Sequence, residues 1–273
     1  MIRIREAAVA GSFYPAEPGE LRATVDRLLD TAPDTAGAAA KAPRALIVPH
    51  AGYVYSGPVA ATAYARLRPC REFYRRVLLL GPAHHVAFDG LALSTASAFR
   101  TPLGDVPLDS AADAALEHPA VRVFDAAHRP EHSLEVQLPF LQCVLGPFTL
   151  LPLLVGHASA NAVAGVIDLL WKGPETLVVV STDLSHYLDY EAACSRDLDT
   201  CRAVESLDGG RIGHSAACGA TPLHGLLIAA RRRGLCAVTL DLRNSGDTAG
   251  GRGRVVGYGA WMFAEEQPCE KAA

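Results

Sequence analysis

Two apolar runs in this chain end in the same way, and that echo restricts its architecture more than any other feature. Ala45-Leu-Ile-Val48 runs into Pro49-His50, and the segment from Arg75 to Leu80 runs into Gly81-Pro-Ala-His84-His85. Short continuous apolar runs of this kind fit strands buried on both faces, as in sheets covered by helices on either side. A third such run, 176–180, ends in Ser181-Thr-Asp183-Leu-Ser-His186, and a strand at 237–242 leads into Asn244-Ser-Gly-Asp247. Polar groups delivered to the carboxyl ends of buried strands are how α/β proteins build sites.

Between these runs the periodicity predicts helices. One covers 18–30, with Leu21, Val25, Leu28 and Leu29 on one face; another covers 58–67, after a glycine turn and the pair Tyr53 and Tyr55. Further helices are expected at 111–116, from 131 onward, at 161–171, at 190–207 and at 222–233, the last closed by Gly234. Additional strands are expected at 90–94, 150–155 and 255–263, with Pro152 arguing for an edge or a bulge. The Ala-, Pro- and Thr-rich segment 31–43 reads as a flexible loop, and the end from 264 as a frayed tail. Strands and helices interleave. The expected class is α/β, one domain over 1–273, with a central mostly parallel or mixed sheet flanked by helices on both faces.

Composition removes several functions. Half of the residues are hydrophobic, the formal net charge is −4, and Lys and Arg are scattered, so no basic stripe points to nucleic acid. No apolar run reaches the ~18 residues of a membrane helix. The start, Met1-Ile-Arg-Ile-Arg-Glu6, lacks an apolar signal core, and a cytoplasmic location is expected. Seven cysteines contain no C-x-x-C pair and read as buried thiols or bystanders. The glycine-rich 246–253 loop has neither dinucleotide nor P-loop spacing, so no nucleotide cofactor is expected. The apolar content is compatible with a homodimer.

If the strand ends converge, imidazoles and carboxylates meet. Two imidazoles and a carboxylate on one face of a metal suit non-haem iron(II), and a further histidine can serve as general base. His84 and His85 point in opposite directions from extended backbone, so at most one faces a shared centre. Each residue has a plainer role open to it: Asp183 and Asp247 are common turn residues, and Tyr53 and Tyr55 can simply pack. His118, His128, His157, His214 and His224 are read as structural or exposed.

The motifs Ala10-Gly-Ser-Phe-Tyr-Pro15, Pro49-His-Ala-Gly-Tyr-Val-Tyr-Ser-Gly57, Leu80-Gly-Pro-Ala-His-His85, Glu131-His-Ser-Leu-Glu135, Ser181-Thr-Asp-Leu-Ser-His186 and Ser245-Gly-Asp247 occur in an order that resembles the Memo family. In prokaryotes this family is also called the AmmeMemoRadiSam system protein B. The resemblance implies a fold similar to the class III extradiol dioxygenases, with iron(II) or copper as the metal. It implies His50 and His85 as metal-ligand histidines, His186 as general base, and His132 as a further active-site histidine. The third ligand is expected at Asp247, with Thr248 as the alternative aligned position. Animal members carry a cysteine in that loop, and this chain has none between Cys236 and Cys269. Tyr53, Tyr55 and Asp183 are expected to meet a small-molecule or peptide ligand. Two functions follow from the resemblance: an extradiol-type dioxygenase acting on a catechol-like substrate, or a non-enzymatic metal-, peptide- or small-molecule-binding module or adaptor using the same cleft. The family's other name implies a functional link to a radical-SAM protein.

Overall fold

The computed structural model describes residues 3–33, 42–110 and 112–265. The segment 31–43 and the tail from 264, read as loop and frayed end, lie mostly outside the described residues. In chain order the elements are β1 (Ile4–Arg5), α1 (Pro18–Thr31), β2 (Ala45–Val48), α2 (Tyr53–Tyr64), β3 (Arg76–Pro82), β4 (Leu91–Leu93), β5 (Ala98–Thr101), β6 (Gly104–Pro107), α3 (Ala112–Ala115) and β7 (Val121–Val123). There follow α4 (Asp125–His128), α5 (Leu138–Val144), β8 (Thr149–Val155), α6 (Ala160–Leu170), β9 (Thr176–Ser181), β10 (His186–Leu188), α7 (Tyr190–Glu205), α8 (Ala220–Arg232), β11 (Leu235–Asn244) and β12 (Val255–Glu265).

The apolar runs form the middle of a mixed nine-stranded sheet, in the order β10-β12-β2-β9-β3-β8-β4-β7, with β11 paired to β12. Its centre, β2-β9-β3-β8, is parallel. Alternate side chains of each central strand enter different cores, which is why no polar residue interrupts them. Leu46, Val48, Val77 and Leu79 join the core beneath α1, α2 and α5. Ala45, Ile47, Leu78 and Leu80 join the core beneath α6, α7 and α8. A small sheet, β1-β5-β6, stands apart from the large one.

Two local expectations are corrected. The helix expected from 58 begins at Tyr53, with Gly52 as N-cap, and carries Pro58 inside it. Proline there removes only the bond back to the Val54 carbonyl, a loss near the start of a helix whose small residues pack deeply. Pro152 lies in β8, which is an interior strand rather than a sheet edge. It is tolerated because β4 pairs only with Leu154 and Val155, leaving Pro152 without a ladder partner on that side. Among the described residues, no helix is long and apolar enough to cross a membrane.

Candidate metal centre

Three neighbouring parallel strands, β2, β9 and β3, end at the same edge of the sheet. Two residues beyond each end stand His50, Asp183 and His84. The turn between α4 and α5 lays Glu131-His132-Ser133 across them. The ligating atoms of His50, His84 and His132 all lie within 4.8 Å of one another. The His50 ring meets the other two edge-on, at centroid distances of 5.1 Å to His84 and 5.5 Å to His132. His84 and His132 stack at 4.7 Å, and Phe13 backs His132 at 4.7 Å.

Hydrogen-bond polarity fixes which nitrogen of His50 faces the group. The Ser181 hydroxyl spends its one proton on the Ser133 carbonyl, at 2.6 Å. It therefore accepts from Gln137 Nε2 at 2.8 Å and from His50 Nδ1 at 2.9 Å. Gln137 is oriented in turn by Pro49 O, which accepts from its Nε2, and by the Tyr64 hydroxyl, which donates to its Oε1. The proton of His50 is thus on Nδ1, and the Nε2 lone pair is free to bind an electrophile. Burial, reinforced by His84 and His132, pushes the pKa of His50 well below the usual histidine value.

Glu131 organises the other two imidazoles. Its buried carboxylate accepts from His84 N at 2.6 Å, His84 Nδ1 at 2.9 Å, His132 N at 3.0 Å and Ser133 N at 2.9 Å. Burial opposes its charge, but the His84 bonds and the backbone N–H groups hold it well below the usual carboxylate range. Burial also opposes the charged form of His84, yet its hydrogen bonds to Cys218 and Glu131 raise it to about 10. His132 is pushed down to about 4, chiefly by burial and against the pull of Glu131. A carboxylate on Nδ1 of a histidine is the arrangement that orients ligands in metal sites, turning Nε2 toward the ion. The donor set therefore fits a transition metal: three imidazoles, one tautomer fixed by Ser181, one ring oriented by Glu131.

The group differs from the expected one. His50 belongs to it, but its strand-end partner is His84, not His85. Both the backbone N–H and Nδ1 of His84 are clamped on Glu131, whereas the adjacent His85 is outside the grouped donors and meets the His132 ring edge-on at 5.8 Å. The third imidazole comes from His132 instead of a carboxylate from Asp247. Asp247 is occupied in a turn: Oδ2 accepts Asn244 N at 3.0 Å, and Oδ1 accepts the Tyr190 hydroxyl at 2.7 Å. The hydroxyl of Thr248, the alternative position, donates to Ser245 O.

Asp183 is buried and clamps the end of β2, accepting His50 N at 2.7 Å. Burial raises it to about 7 against that bond. His186 donates from Nδ1 to Leu184 O at 2.8 Å, which leaves its own Nε2 as a lone pair. It is near enough to His50 to weaken that residue's proton affinity. Tyr53 is buried in α2 and donates to Val136 O at 2.6 Å, so it packs, whereas Tyr55 is 41% exposed.

Four residues of the centre escaped the sequence reading. Glu131 stood in a quoted motif, but its adjacency to His132 hid that it serves His84. Ser181 opened a quoted motif without a role of its own, and Gln137 carries no signature. Cys218 has no cysteine near it in sequence, yet its Sγ lies 3.2 Å from His50 Nε2. Cys218 also lines a cleft of about 610 Å³, walled by Pro82, Ala83, Phe88, His157, His214 and Thr221.

Comparison with known proteins places these observations in context. The family model described as "Memo-like protein" matches residues 5–262. A MEMO1 family protein of Aquifex aeolicus is 34% identical, covering 96% of this chain and 100% of its own. One from Aeropyrum pernix is 35% identical, covering 95% and 99%. A solved Escherichia coli K12 structure, titled as uncharacterized protein JW3007, is 13% identical at a TM-score of 0.49, covering 80% of this chain and 99% of its own.

Proposed function

The chain belongs to the Memo family, and within it we propose a protein that holds an iron or copper ion on His50, His84 and His132. The single observation carrying this reading is the convergence of three ligating nitrogens within 4.8 Å, with His50 Nε2 unprotonated by the Ser181 network. Bound there, such an ion supplies Lewis acidity and one-electron chemistry.

The residues around the group then have roles toward a ligand. His186 keeps a neutral Nε2 beside the cluster, because its Nδ1 proton is committed to Leu184 O. Burial holds its pKa below the usual value, so it takes up the proton of a ligand hydroxyl without starting out charged. Asp183 and Ser181 hold the end of β2 so that His50 does not swing away. On this reading the protein acts on a catechol-like diol as an extradiol-type dioxygenase. A second reading, an ion-holding binding module without turnover, is favoured by one observation. The grouped donors are all imidazole, a set that suits several first-row metals as well as iron(II).

Metal analysis of protein purified without chelator tests the site. His50→Ala and His84→Ala should each lose the ion, and His85→Ala should keep it. Stoichiometric metal in both of the first two variants would overturn the centre. Anaerobic iron(II) loading followed by catechol and oxygen separates the two readings. Ring-cleavage absorbance that His186→Ala loses supports the enzyme, and its absence across a panel of diols supports the module.

A further inference from the structure

A second cavity shares no residue with the imidazole group or with the cleft at Cys218. It is walled by residues 3–7, the segment after β4, and α4, and its volume of about 610 Å³ is within the range of small-molecule sites. The charged or titratable residues of its wall are Arg3, Arg5, Glu6, Asp125, His128 and Arg129. Most are already committed. Arg5 donates from Nε to His128 O at 3.0 Å and from Nη2 to Glu131 O at 2.6 Å, and it pairs with Glu135. Asp125 accepts Ser94 Oγ at 3.0 Å, Thr95 N at 2.7 Å and Arg3 Nη1 at 3.2 Å. Glu6 accepts Arg100 Nη1 at 2.9 Å. Two groups are left over. Arg129 is exposed and meets no carboxylate among the described residues. His128 is 2% exposed, and its Nδ1 is buried without a partner.

The tautomer of His128 says what that atom needs. Ala92 O can only accept, so the 3.0 Å contact to Nε2 puts the ring proton there. Burial pushes the pKa of His128 down to about 4, so Nδ1 takes up no proton of its own at neutral pH. It is a buried lone pair, and buried polar groups in folded proteins are matched by a partner. The wall thus presents one uncommitted cation and one uncommitted acceptor, with Ile4, Ala7 and Ala96 as apolar surface beside them. We propose that this cavity binds a small hydroxycarboxylic acid with an apolar body, its carboxylate on Arg129 and its hydroxyl donating to His128 Nδ1. An amine is a poor substitute for the hydroxyl, because an ammonium at His128 would face the Arg5 guanidinium, which already opposes positive charge on that ring. The bonds of Arg5 to His128 O, Glu131 O and Glu135 fix that side of the wall, so the site is formed before a ligand arrives. Nothing in this inference depends on the metal centre.

The probes are para-hydroxybenzoate and para-hydroxyphenylacetate, with phenylacetate lacking the hydroxyl and para-cresol lacking the carboxylate. By calorimetry, at least one of the two hydroxy acids should bind the full chain at a single site. Phenylacetate and para-cresol should each bind about tenfold more weakly, the worth of one lost hydrogen bond to a polar or charged partner. Arg129→Gln, a change at an exposed side chain, should weaken the hydroxy acid by a similar factor, and His186→Ala should bind it as wild type does. A second measurement reads the acceptor directly, by nitrogen NMR on protein labelled at histidine. The His128 Nδ1 resonance, assigned by its absence from His128→Gln, should move upfield as the lone pair takes a hydrogen bond. No binding of either hydroxy acid at millimolar concentration, equal affinity in Arg129→Gln, or an Nδ1 resonance unmoved at saturation would each overturn the site, the last showing that a trapped water already serves the acceptor. Binding lost in His186→Ala and kept in Arg129→Gln would put the acid beside the imidazole group and overturn it equally.

Discussion

Glu131→Gln isolates the part of the centre that the carboxylate holds. The side chain keeps its size, and one oxygen can still accept His84 Nδ1, His132 N and Ser133 N, as Oε1 does now. The other oxygen, which accepts His84 N at 2.6 Å, becomes an NH2 group facing an N–H. The change converts one charge-assisted bond into a donor–donor clash in a site where Glu131 is 2% exposed. It also removes the charge from three further bonds. Hydrogen bonds to charged groups contribute ~1.5–3 kcal/mol, and a buried unsatisfied donor costs ~1–3 kcal/mol. The expected loss is about 3–5 kcal/mol at neutral pH, or roughly 10 °C in thermal midpoint for a chain of this size. Metal affinity should fall roughly 10–100-fold, because His84 loses its orienting partner. A pH series adds a sign. The folded pKa of His84 is raised above its ordinary 6.5, to about 10. Its ionic contribution is therefore complete below pH 6.5 and is lost as pH rises through about 10. Wild-type stability should decline across that window, and the variant's curve should be flatter. A thermal midpoint within 2 °C of wild type, with unchanged metal affinity, would refute the role given to Glu131.

Three other changes probe the frame around the centre. Gly219→Ala should lower stability by ~1–3 kcal/mol through overpacking against Thr182 and Ser181, and raise Cys218 alkylation; unaltered thermal midpoint and thiol reactivity would contradict it. Glu135→Ala leaves Arg5 buried without its carboxylate and Tyr14 without its acceptor, so ~3–5 kcal/mol should be lost. Limited proteolysis should then cut the N-terminal segment faster, and an unchanged cleavage rate would count against that anchor. Asp247→Ala removes a capping box and should cost ~0.5–2 kcal/mol while leaving metal content intact; loss of the ion would restore Asp247 as a ligand.

The central strands were legible because burial on both faces leaves an unbroken apolar run, and their carboxyl ends were legible because proline and polar residues stop that run at 49 and 82. His50 followed from that alone. The choice between His84 and His85 did not, since adjacent residues on extended backbone alternate and only the position of Glu131 decides which one turns inward. Asp247 was expected as a ligand and is found capping a turn; an acidic residue in a glycine-rich turn looks the same in sequence whether it caps the turn or binds an ion. The start of α2 was missed because Pro58 resembles a helix beginning. Cys218 was invisible because its partners lie 168 and 35 positions away, at His50 and Asp183, and no local pattern announces contacts of that range.

Strand order has a consequence for how the centre comes into being. The segments bearing His50 and His84 are made early and close together, but they never touch as strands: β9, ending at Ser181, stands between β2 and β3. Until the ribosome has delivered that third strand, the first two have no shared neighbour. Such long-range pairing is slow to form, because loop closure precedes any reward. On the proposed metal reading, ion capture would therefore be a late event of biosynthesis, and a nascent chain halted before Ser181 should carry these imidazoles without holding a metal between them.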